Sequence, residues 1–145
     1  MSESSHVICQ NCNGIVKVPA GRLADGPKCP RCQTALFDGK PIELNDQTFE
    51  RHVQKGDLPV VVDFWAPWCA PCRAMAPVFA AAAQRHEPLA RFAKVNTEEA
   101  QGTAAKFAIR SIPTLVVFRN GREVARQPGA MDPRSLDSWL SRALT

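Results

Sequence analysis

The stretch that most constrains the fold covers residues 60–72, which read Val-Val-Val-Asp-Phe-Trp-Ala-Pro-Trp-Cys-Ala-Pro-Cys. Its apolar first half, bounded by turn-forming residues, predicts a strand buried on both faces, as is usual in a parallel sheet. The following segment, residues 73–85, is rich in alanine and places Met75, Phe79 and Ala82 at helical spacing. The stretch therefore predicts a buried strand that leads directly into a helix.

A Cys-x-x-Cys pair stands at the junction of this strand and helix. Pro71, between the cysteines, suits a first helical turn because its missing N–H would have no partner inside the helix. Cys69 is thus expected at a helix N-terminus, where exposed amides and the helix dipole favour the reactive thiolate. Cys72 can reach back to it and close a disulfide. We therefore expect a dithiol–disulfide couple with Cys69 as nucleophile and Cys72 as resolving cysteine.

The string Asp-Phe-Trp-Ala-Pro-Trp-Cys-Ala-Pro-Cys, followed later by Ile112-Pro113-Thr114, resembles the thioredoxin family, and the resemblance extends from about Ile42 to the C-terminus. A bare Cys-x-x-Cys serves metals and redox chemistry equally, but the longer string is much more specific. Ala70 stands where glycine is usual in the family, which bears on the redox tuning of the pair. The resemblance implies the α/β thioredoxin fold, a central mixed sheet with helices on both faces.

The remaining elements of this region follow from caps, turns and apolar spacing, and their order also fits a mixed sheet covered by helices. We expect strands at residues 42–44, 89–96, 114–118 and 123–126, and helices capped by Asn45 or Asp46, over residues 97–107, and from about Asp132. Asn120-Gly121 between the last two strands is the strongest short signal for a hairpin.

Asp63 is a carboxylate within the buried run, which is costly unless the group is neutral or hydrogen-bonded. Burial would raise its pKa and make it a proton acceptor near neutrality. The alternative is an aspartate at a strand edge that faces solvent. The resemblance implies that Asp63 helps to deprotonate Cys72 and that Lys94 is the family's lysine near this aspartate. Without the resemblance, Lys94 would be interpreted as a surface lysine.

The resemblance also implies a substrate-binding surface around the cysteine pair. It makes Pro113 a cis proline that faces the pair and holds the preceding backbone open to an extended substrate, although the sequence alone favours trans. The expected surface consists of Trp68, Ala70, Pro71, Ile112, Pro113 and Gly129. Simple packing for Trp68 and an ordinary turn for Gly129 remain alternatives.

The N-terminal region carries a second pattern, Cys-x2-Cys-x16-Cys-x2-Cys, formed by Cys9, Cys12, Cys29 and Cys32. This spacing is typical of a four-thiolate zinc site, because each pair can wrap one edge of a tetrahedron. We expect Gly14 to ease the turn after the first pair and residues 15–18 to form a short strand. Large apolar residues are few, so zinc would supply most of the stability here. Two disulfides or buried thiols are the alternative.

These patterns divide the chain into a zinc-ribbon-like module at residues 1–37, a linker at 38–41 and a thioredoxin domain at 42–145. His52 and His86 show no ligand or catalytic spacing and are expected on the surface, and His6 is expected to be solvated.

Charge and hydropathy exclude several classes of function. The formal net charge is +4, and residues 1–40 contribute +2 of it without any basic block, so we expect no nucleic-acid binding. No apolar run approaches the roughly 18 to 20 residues of a membrane span. The first six residues do not have the pattern of a secretory signal, which predicts a cytoplasmic protein with reduced thiols.

We expect a cytoplasmic, monomeric protein-disulfide reductase in electron transport, with a redox-active Cys69–Cys72 disulfide and one structural or redox-sensitive zinc per chain. With its N-terminal module the chain resembles the second bacterial type of thioredoxin. The resemblance implies disulfide-containing protein substrates and a thioredoxin reductase that uses a nicotinamide cofactor on its own flavin. The alternatives are an oxidase or isomerase on the same fold, a zinc-ribbon binding module, and a redox-switched chaperone.

Overall fold

The computed structural model describes residues 4–145, so the first three residues of the expected module and of its polar N-terminus lie outside it. The elements in chain order are β1 (Ser4–Ile8), β2 (Ile15–Pro19), a 3-10 helix (Ala20–Asp25), β3 (Ile42–Leu44), α1 (Phe49–Lys55), β4 (Val60–Trp65), α2 (Ala70–His86), β5 (Arg91–Asn96), α3 (Gln101–Lys106), β6 (Thr114–Arg119), β7 (Arg122–Pro128) and α4 (Pro133–Ala143).

A five-stranded sheet in the order β3-β5-β4-β6-β7 organises most of the chain. The strands β3, β5 and β4 run parallel, whereas β6 is antiparallel to both β4 and β7. Strand β4 lies at the centre, and residues 60–64 are each at most 2% exposed. This confirms the mixed sheet and the buried strand expected from the apolar run.

Helices cover both faces of the sheet. Alternation along β4 directs Val62 and Phe64 towards Phe49 and Val53 of α1, and Val61 towards the opposite face, where α2 and α4 pack. Asp63 shares the side of Val61 because the two are separated by two positions. Among the helices of residues 4–145, none is long and apolar enough to span a bilayer.

Two helix starts differ from the expectation. Helix α3 covers six residues instead of residues 97–107, because Asn96 Oδ1 accepts the Glu98 N–H at 3.0 Å and holds the chain after β5 in a turn. Asp46 does not cap α1. Its Oδ1 accepts the Thr103 N–H at 2.8 Å, so it caps α3 from a distant segment.

The hairpin and the cap of α4 are found where the sequence predicts them, whereas α1 begins after Thr48, which is its N-cap. Asn120 and Gly121 have φ angles of 54° and 78° and connect β6 to β7 in a tight hairpin. Asp132 Oδ1 accepts the Ser135 N–H at 2.8 Å and caps α4. Asn45 closes the turn before α1, since its Oδ1 accepts the Gln47 N–H at 2.9 Å.

The N-terminal region folds as a separate antiparallel pair, β1 with β2. The first Cys-x-x-Cys turn directly follows β1, and the second directly precedes residues 33–36. Strand β1 was not expected from the sequence, whereas β2 matches the expected strand. Val7, Val16, Val18 and Leu36 are buried together with Cys9 and Cys29. This apolar cluster is small, as the sequence predicts.

Arg91, the first residue of β5, joins this region to the large sheet. Its side chain is buried, and its guanidinium donates to the Ile8 carbonyl at 3.1 Å. The same guanidinium lies 4.4 Å from the centroid of the Phe37 ring, a cation–π geometry. Leu58, just before β4, packs against the apolar cluster of the N-terminal region. The module therefore sits at the end of the sheet where β4 and β5 begin.

His52 forms part of the same contact, and the expectation that it lies on the surface is wrong. It is 4% exposed, and burial, aided by Arg91 and Arg51, lowers its pKa to about 4. The neutral ring is within 2.9 Å of Asn13 Oδ1, so Nε2–H donates to that oxygen. His86 is partly exposed and stacks on Phe92, with ring centroids 5.9 Å apart.

We predict that Arg91→Met loosens the N-terminal region while the five-stranded sheet persists. The substitution keeps apolar volume but removes a charged hydrogen bond, worth about 1.5–3 kcal/mol when buried. Amide hydrogen exchange should speed up in residues 4–36 and change little in β4. Arg91→Lys, which keeps the charge, should lose less protection. Unchanged exchange in residues 4–36 of Arg91→Met would contradict this account.

Candidate active site and metal centre

The Cys-x-x-Cys pair lies at the start of α2 and forms a disulfide, with the two Cα atoms 5.2 Å apart. Cys69 is the N-cap of the helix, and its Sγ accepts the Cys72 N–H at 3.2 Å. Pro71 falls in the first turn, as expected. Both cysteines are nearly buried, at 5% and 2% exposure. The helix N-terminus therefore directs an amide donor at the sulfur of Cys69, which favours a thiolate there after reduction.

A tight connection places this helix start directly beyond the end of β4. The Cys69 N–H donates to the Ala66 carbonyl at 3.2 Å, and Ala66 is fully buried. Arg73 reaches back from α2 and donates to the Pro67 carbonyl at 2.8 Å. The loop is therefore held at both ends, and the cysteine pair stands at the edge of the sheet where the parallel strands end.

Asp63 lies behind the cysteine pair on the central strand and is 1% exposed. Neither of its carboxylate oxygens has a hydrogen-bond partner within residues 4–145. Burial raises the pKa of Asp63 to about 7, and the positive charge of Lys94 acts in the opposite direction. The carboxyl group therefore changes its protonation near neutral pH, and the alternative of a solvent-facing strand edge is wrong.

Lys94 stands next to Asp63 in the sheet, because the two are direct partners in the register of β4 and β5. Its ammonium lies 4.3 Å from the centroid of the Trp65 ring, and it is only partly exposed. Sequence alone would have left this residue on the surface. The structure brings it to the aspartate, as the resemblance implied.

The loop before β6 approaches the disulfide from the other side. The Ile112–Pro113 peptide bond is cis, as the resemblance implied, and Cys69 Sγ lies 3.8 Å from the Ile112 carbonyl oxygen. The Gly129 N–H donates to the Pro113 carbonyl at 2.8 Å. Gly129 has a φ of 92°, a conformation that side chains rarely adopt. These three residues thus form one ledge beside the sulfur of Cys69, in which Gly129 is exposed, Ile112 is half-buried and Pro113 is buried.

Trp68, Ala70 and Pro71, which flank Cys69 in the chain, are exposed. Trp68 is 64% exposed, yet its indole N–H donates to a Glu98 carboxylate oxygen at 2.6 Å. Sequence reasoning missed Glu98. Its position just after β5 was the available signal, because the ends of neighbouring parallel strands meet at the same edge of a sheet. The exposed ring is therefore fixed in place at the rim of the site.

The four remaining cysteines, Cys9, Cys12, Cys29 and Cys32, come together in the N-terminal region, with all four Sγ atoms within 4.8 Å of one another. Cys9 and Cys32 are 3.6 Å apart, and Cys12 and Cys29 are 3.7 Å apart. A zinc ion at about 2.3 Å from each sulfur of a tetrahedron requires S···S distances of about 3.8 Å. The cluster therefore fits a tetrahedral thiolate-bound metal and could hold such an ion.

The two Cys-x-x-Cys turns of the cluster have the same backbone geometry. Asn13 and Gln33, each directly after a pair, have φ angles of 61° and 66°, and their N–H groups donate to Cys9 and Cys29 carbonyls. The expectation that Gly14 supplies the turn is wrong. A Cβ at Gly14 would lie 3.3 Å from both Cys12 Sγ and Arg31 Nη1, so this glycine allows close packing against a thiol.

A reactive-site disulfide at a helix N-terminus, a buried carboxyl behind it and a cis proline beside it define a thiol–disulfide oxidoreductase. The family model described as Thioredoxin matches residues 40–142. Thioredoxin C-3 of Corynebacterium nephridii is 44% identical over 138 residues, which cover 95% of this chain and 94% of that protein. The chain belongs to the thioredoxin family, and its enzyme class is that of a thioredoxin-type disulfide oxidoreductase.

Other relatives align over a smaller share of the chain. Thioredoxin 1 of Nostoc sp. is 44% identical over 102 residues, covering 70% of this chain and 95% of its own length. Thioredoxin of Haemophilus influenzae is 40% identical over 101 residues, covering 70% of this chain and 94% of its own. The match to the Corynebacterium protein is longer and takes in most of the four-cysteine region.

We predict that the stability gained by Asp63→Asn depends on pH. The pKa of Asp63 is raised from 3.8 to about 7, so this group stabilises the fold fully below about pH 4 and loses that contribution as pH rises to 7. Relative to the parent, the free energy of unfolding of Asp63→Asn should therefore rise by about 3–4 kcal/mol between pH 4 and pH 8. Urea unfolding of the oxidised parent and the oxidised variant at each pH measures this difference. A difference in the free energy of unfolding that stays constant with pH would contradict the burial argument.

Proposed function

We propose that the chain is a protein-disulfide reductase that works by thiol–disulfide exchange. The observation that carries the proposal is the Cys69–Cys72 disulfide at the N-terminus of α2, in front of a buried aspartate whose pKa is about 7. An oxidase would run the same exchange in the other direction, and an isomerase would attack and then release a substrate disulfide. The helix amide at Cys69 Sγ supports the thiolate that all three activities need, so the choice of a reductase follows the thioredoxin relatives.

The reductive reaction begins from the dithiol form. The Cys69 thiolate attacks one sulfur of a substrate disulfide, so a Cys69–substrate bond forms, the substrate S–S bond breaks, and one substrate thiolate leaves. The amide of Cys72 and the dipole of α2 stabilise the attacking thiolate before this step. The product is a mixed disulfide in which Cys72 is still a thiol.

The second step resolves the mixed disulfide. Asp63, in its carboxylate form, accepts the proton of the Cys72 thiol, and the resulting thiolate attacks Cys69 Sγ. The Cys69–Cys72 bond forms, the second substrate thiolate leaves, and the proton held by Asp63 is available to it. Two electrons have then passed from the dithiol to the substrate. Lys94 favours the ionised form of Asp63.

The substrate would bind across the ledge around the disulfide. One part of this ledge is the backbone of Ile112 and Pro113, next to Cys69, together with Gly129, which is hydrogen-bonded to Pro113. The exposed Trp68 ring, together with Ala70 and Pro71, forms the other part. This arrangement suits an extended peptide on either side of a cystine, so we assign substrate contact to these six residues.

We assign the partners and setting of the reaction on the same basis. A thioredoxin reductase would regenerate the dithiol after each turnover, as it does for thioredoxins. The four-cysteine cluster needs reduced thiols to bind a metal, which supports a reducing compartment, and we propose the cytoplasm. One chain carries every residue of the proposed site, which supports a monomer.

We propose that residues 1–37 are a zinc module, joined through a linker at 38–41 to the thioredoxin domain at 42–145. Cys9, Cys12, Cys29 and Cys32 would hold one zinc ion through four thiolates. Bound there, zinc supplies no redox chemistry and acts as a structural cross-link. Oxidation of these thiols would release it, because oxidised sulfur does not ligate the metal.

Substituting the two reactive cysteines one at a time should separate their roles. Cys69→Ser should abolish disulfide reduction, because the attacking thiolate is lost. Cys72→Ser should instead accumulate mixed disulfides through Cys69, because attack survives and resolution does not. Insulin reduction with dithiol as electron source, followed by mass spectrometry of trapped adducts, distinguishes the two. Identical behaviour of the variants would refute the division of roles.

Metal analysis tests the four-thiolate assignment. We expect one zinc per chain in the parent and in Cys72→Ser, and about half or less in Cys32→Ser, because three ligands leave the tetrahedron open. Removing the metal with a chelator should increase amide exchange in residues 4–36, whereas the domain built on the five-stranded sheet should keep most of its reductase activity. Zinc lost from Cys72→Ser, or retained in full by Cys32→Ser, would overturn the assignment.

A further inference from the structure

Three charged side chains lie in one row across the large sheet. Glu43 of β3 is the register partner of Lys94 of β5, and Lys94 is the partner of Asp63 of β4. Direct partners in neighbouring strands project from the same face, and here that face is the one covered by α2. Because β3 is an edge strand, Glu43 forms the exposed end of the row and Asp63 the buried end.

Lys94 therefore stands between two carboxyl groups of different exposure. Adjacent strands are about 4.8 Å apart, so the backbones of Glu43 and Asp63 lie about 10 Å from each other. The Lys94 ammonium lies over the Trp65 ring, 4.3 Å from the ring centroid. At these separations, in a partly buried setting, unit charges still influence one another.

We propose that Glu43 is a positioning residue for thiol–disulfide exchange: it opposes the charge of Lys94 across the row and so keeps Asp63 basic enough to take the Cys72 proton. The inference rests on the proposed function, in which Asp63 is that proton acceptor. Sequence reasoning gave Glu43 no role, because only the register of β3 on β5 brings it into the row.

The charges around the row agree with this assignment. After burial itself, Lys94 lowers the pKa of Asp63 and Glu43 raises it. Loss of hydration likewise raises the pKa of Glu43, which Lys94 lowers and the nearby Glu99 raises. On this face the register partner of Asp63 on β6 is the apolar Leu115, and its neighbours two positions along β4 are the apolar Val61 and Trp65. Removing Glu43 therefore leaves the lysine unopposed.

The direct test is the titration of Asp63 in the oxidised protein, where Cys72 is held in the disulfide and does not titrate. Carboxyl carbon NMR follows the group, and Asp63→Asn identifies its signal. Glu43→Gln should lower the pKa of Asp63 by roughly 0.5–1 unit at low ionic strength, with less effect at 1 M salt, because Glu43 is exposed. Thermal unfolding checks that the edge strand is intact.

Glu50→Gln is the matched control, because it removes the same charge from α1, which packs on the other face of the sheet. The pKa of Asp63 in Glu50→Gln should equal that in the parent. Lys94→Gln should shift the pKa of Asp63 upwards, and the double variant Glu43→Gln/Lys94→Gln should return it close to the parent value. The proposal would be overturned if Glu43→Gln shifted the pKa of Asp63 by no more than Glu50→Gln does.

Kinetics then connects the titration to the reaction. The acid limb of the pH–rate profile for disulfide reduction should move down in Glu43→Gln by the same amount as the NMR titration. If the limb stays in place while the titration moves, Glu43 has no role in the reaction and the proposal fails. The Asp63→Asn variant distinguishes failure of this proposal from failure of the proposed function. Loss of the acid limb in Asp63→Asn supports Asp63 as the proton acceptor. An unchanged pH–rate profile in that variant would show that Asp63 does not have this role.

Discussion

The pairing of β4 with β5 on one side and β6 on the other is the constraint on which the rest of the structure depends. It buries residues 60–64 almost completely, so a carboxyl group on that strand loses its hydration and titrates near neutrality. The same strand ends at the tight connection that sets Cys69 at the N-terminus of α2. The central position of β4 thus places the nucleophile and the proton acceptor together, and the register of β4 with β5 brings Lys94 next to Asp63.

The N-terminal region is attached to this framework through side chains of the large sheet and α1. The buried guanidinium of Arg91 bonds to the backbone next to Cys9, and neutral His52 bonds to Asn13, directly after Cys12. Both contacts reach the turns that carry the thiol cluster. Packing between the two regions and closure of the cluster are therefore mutually supportive, although each region has its own apolar centre.

The sequence predicted much of this arrangement, and most of what it did not predict depends on contacts between distant parts of the chain. The buried strand, the helix start at the cysteines, the hairpin at Asn120-Gly121 and the thiol cluster all depend on short-range patterns. What sequence reasoning missed depends on partners far along the chain: Asp46 caps α3, His52 is buried by the N-terminal region, and Glu43 joins Asp63 only through sheet register. The extent of α3 was wrong because a local Asn96 turn competed with helix formation.

The module contacts the sheet where β4 begins, and the disulfide lies beyond the point where β4 ends. The six residues of that strand separate the two by about 17 Å along its length. Thiol–disulfide exchange needs sulfur atoms in contact, so the cysteines of the cluster are insulated from the reactive pair of their own chain. Within one folded chain the two sets of cysteines are therefore too far apart to exchange, and each set keeps its own chemistry during turnover.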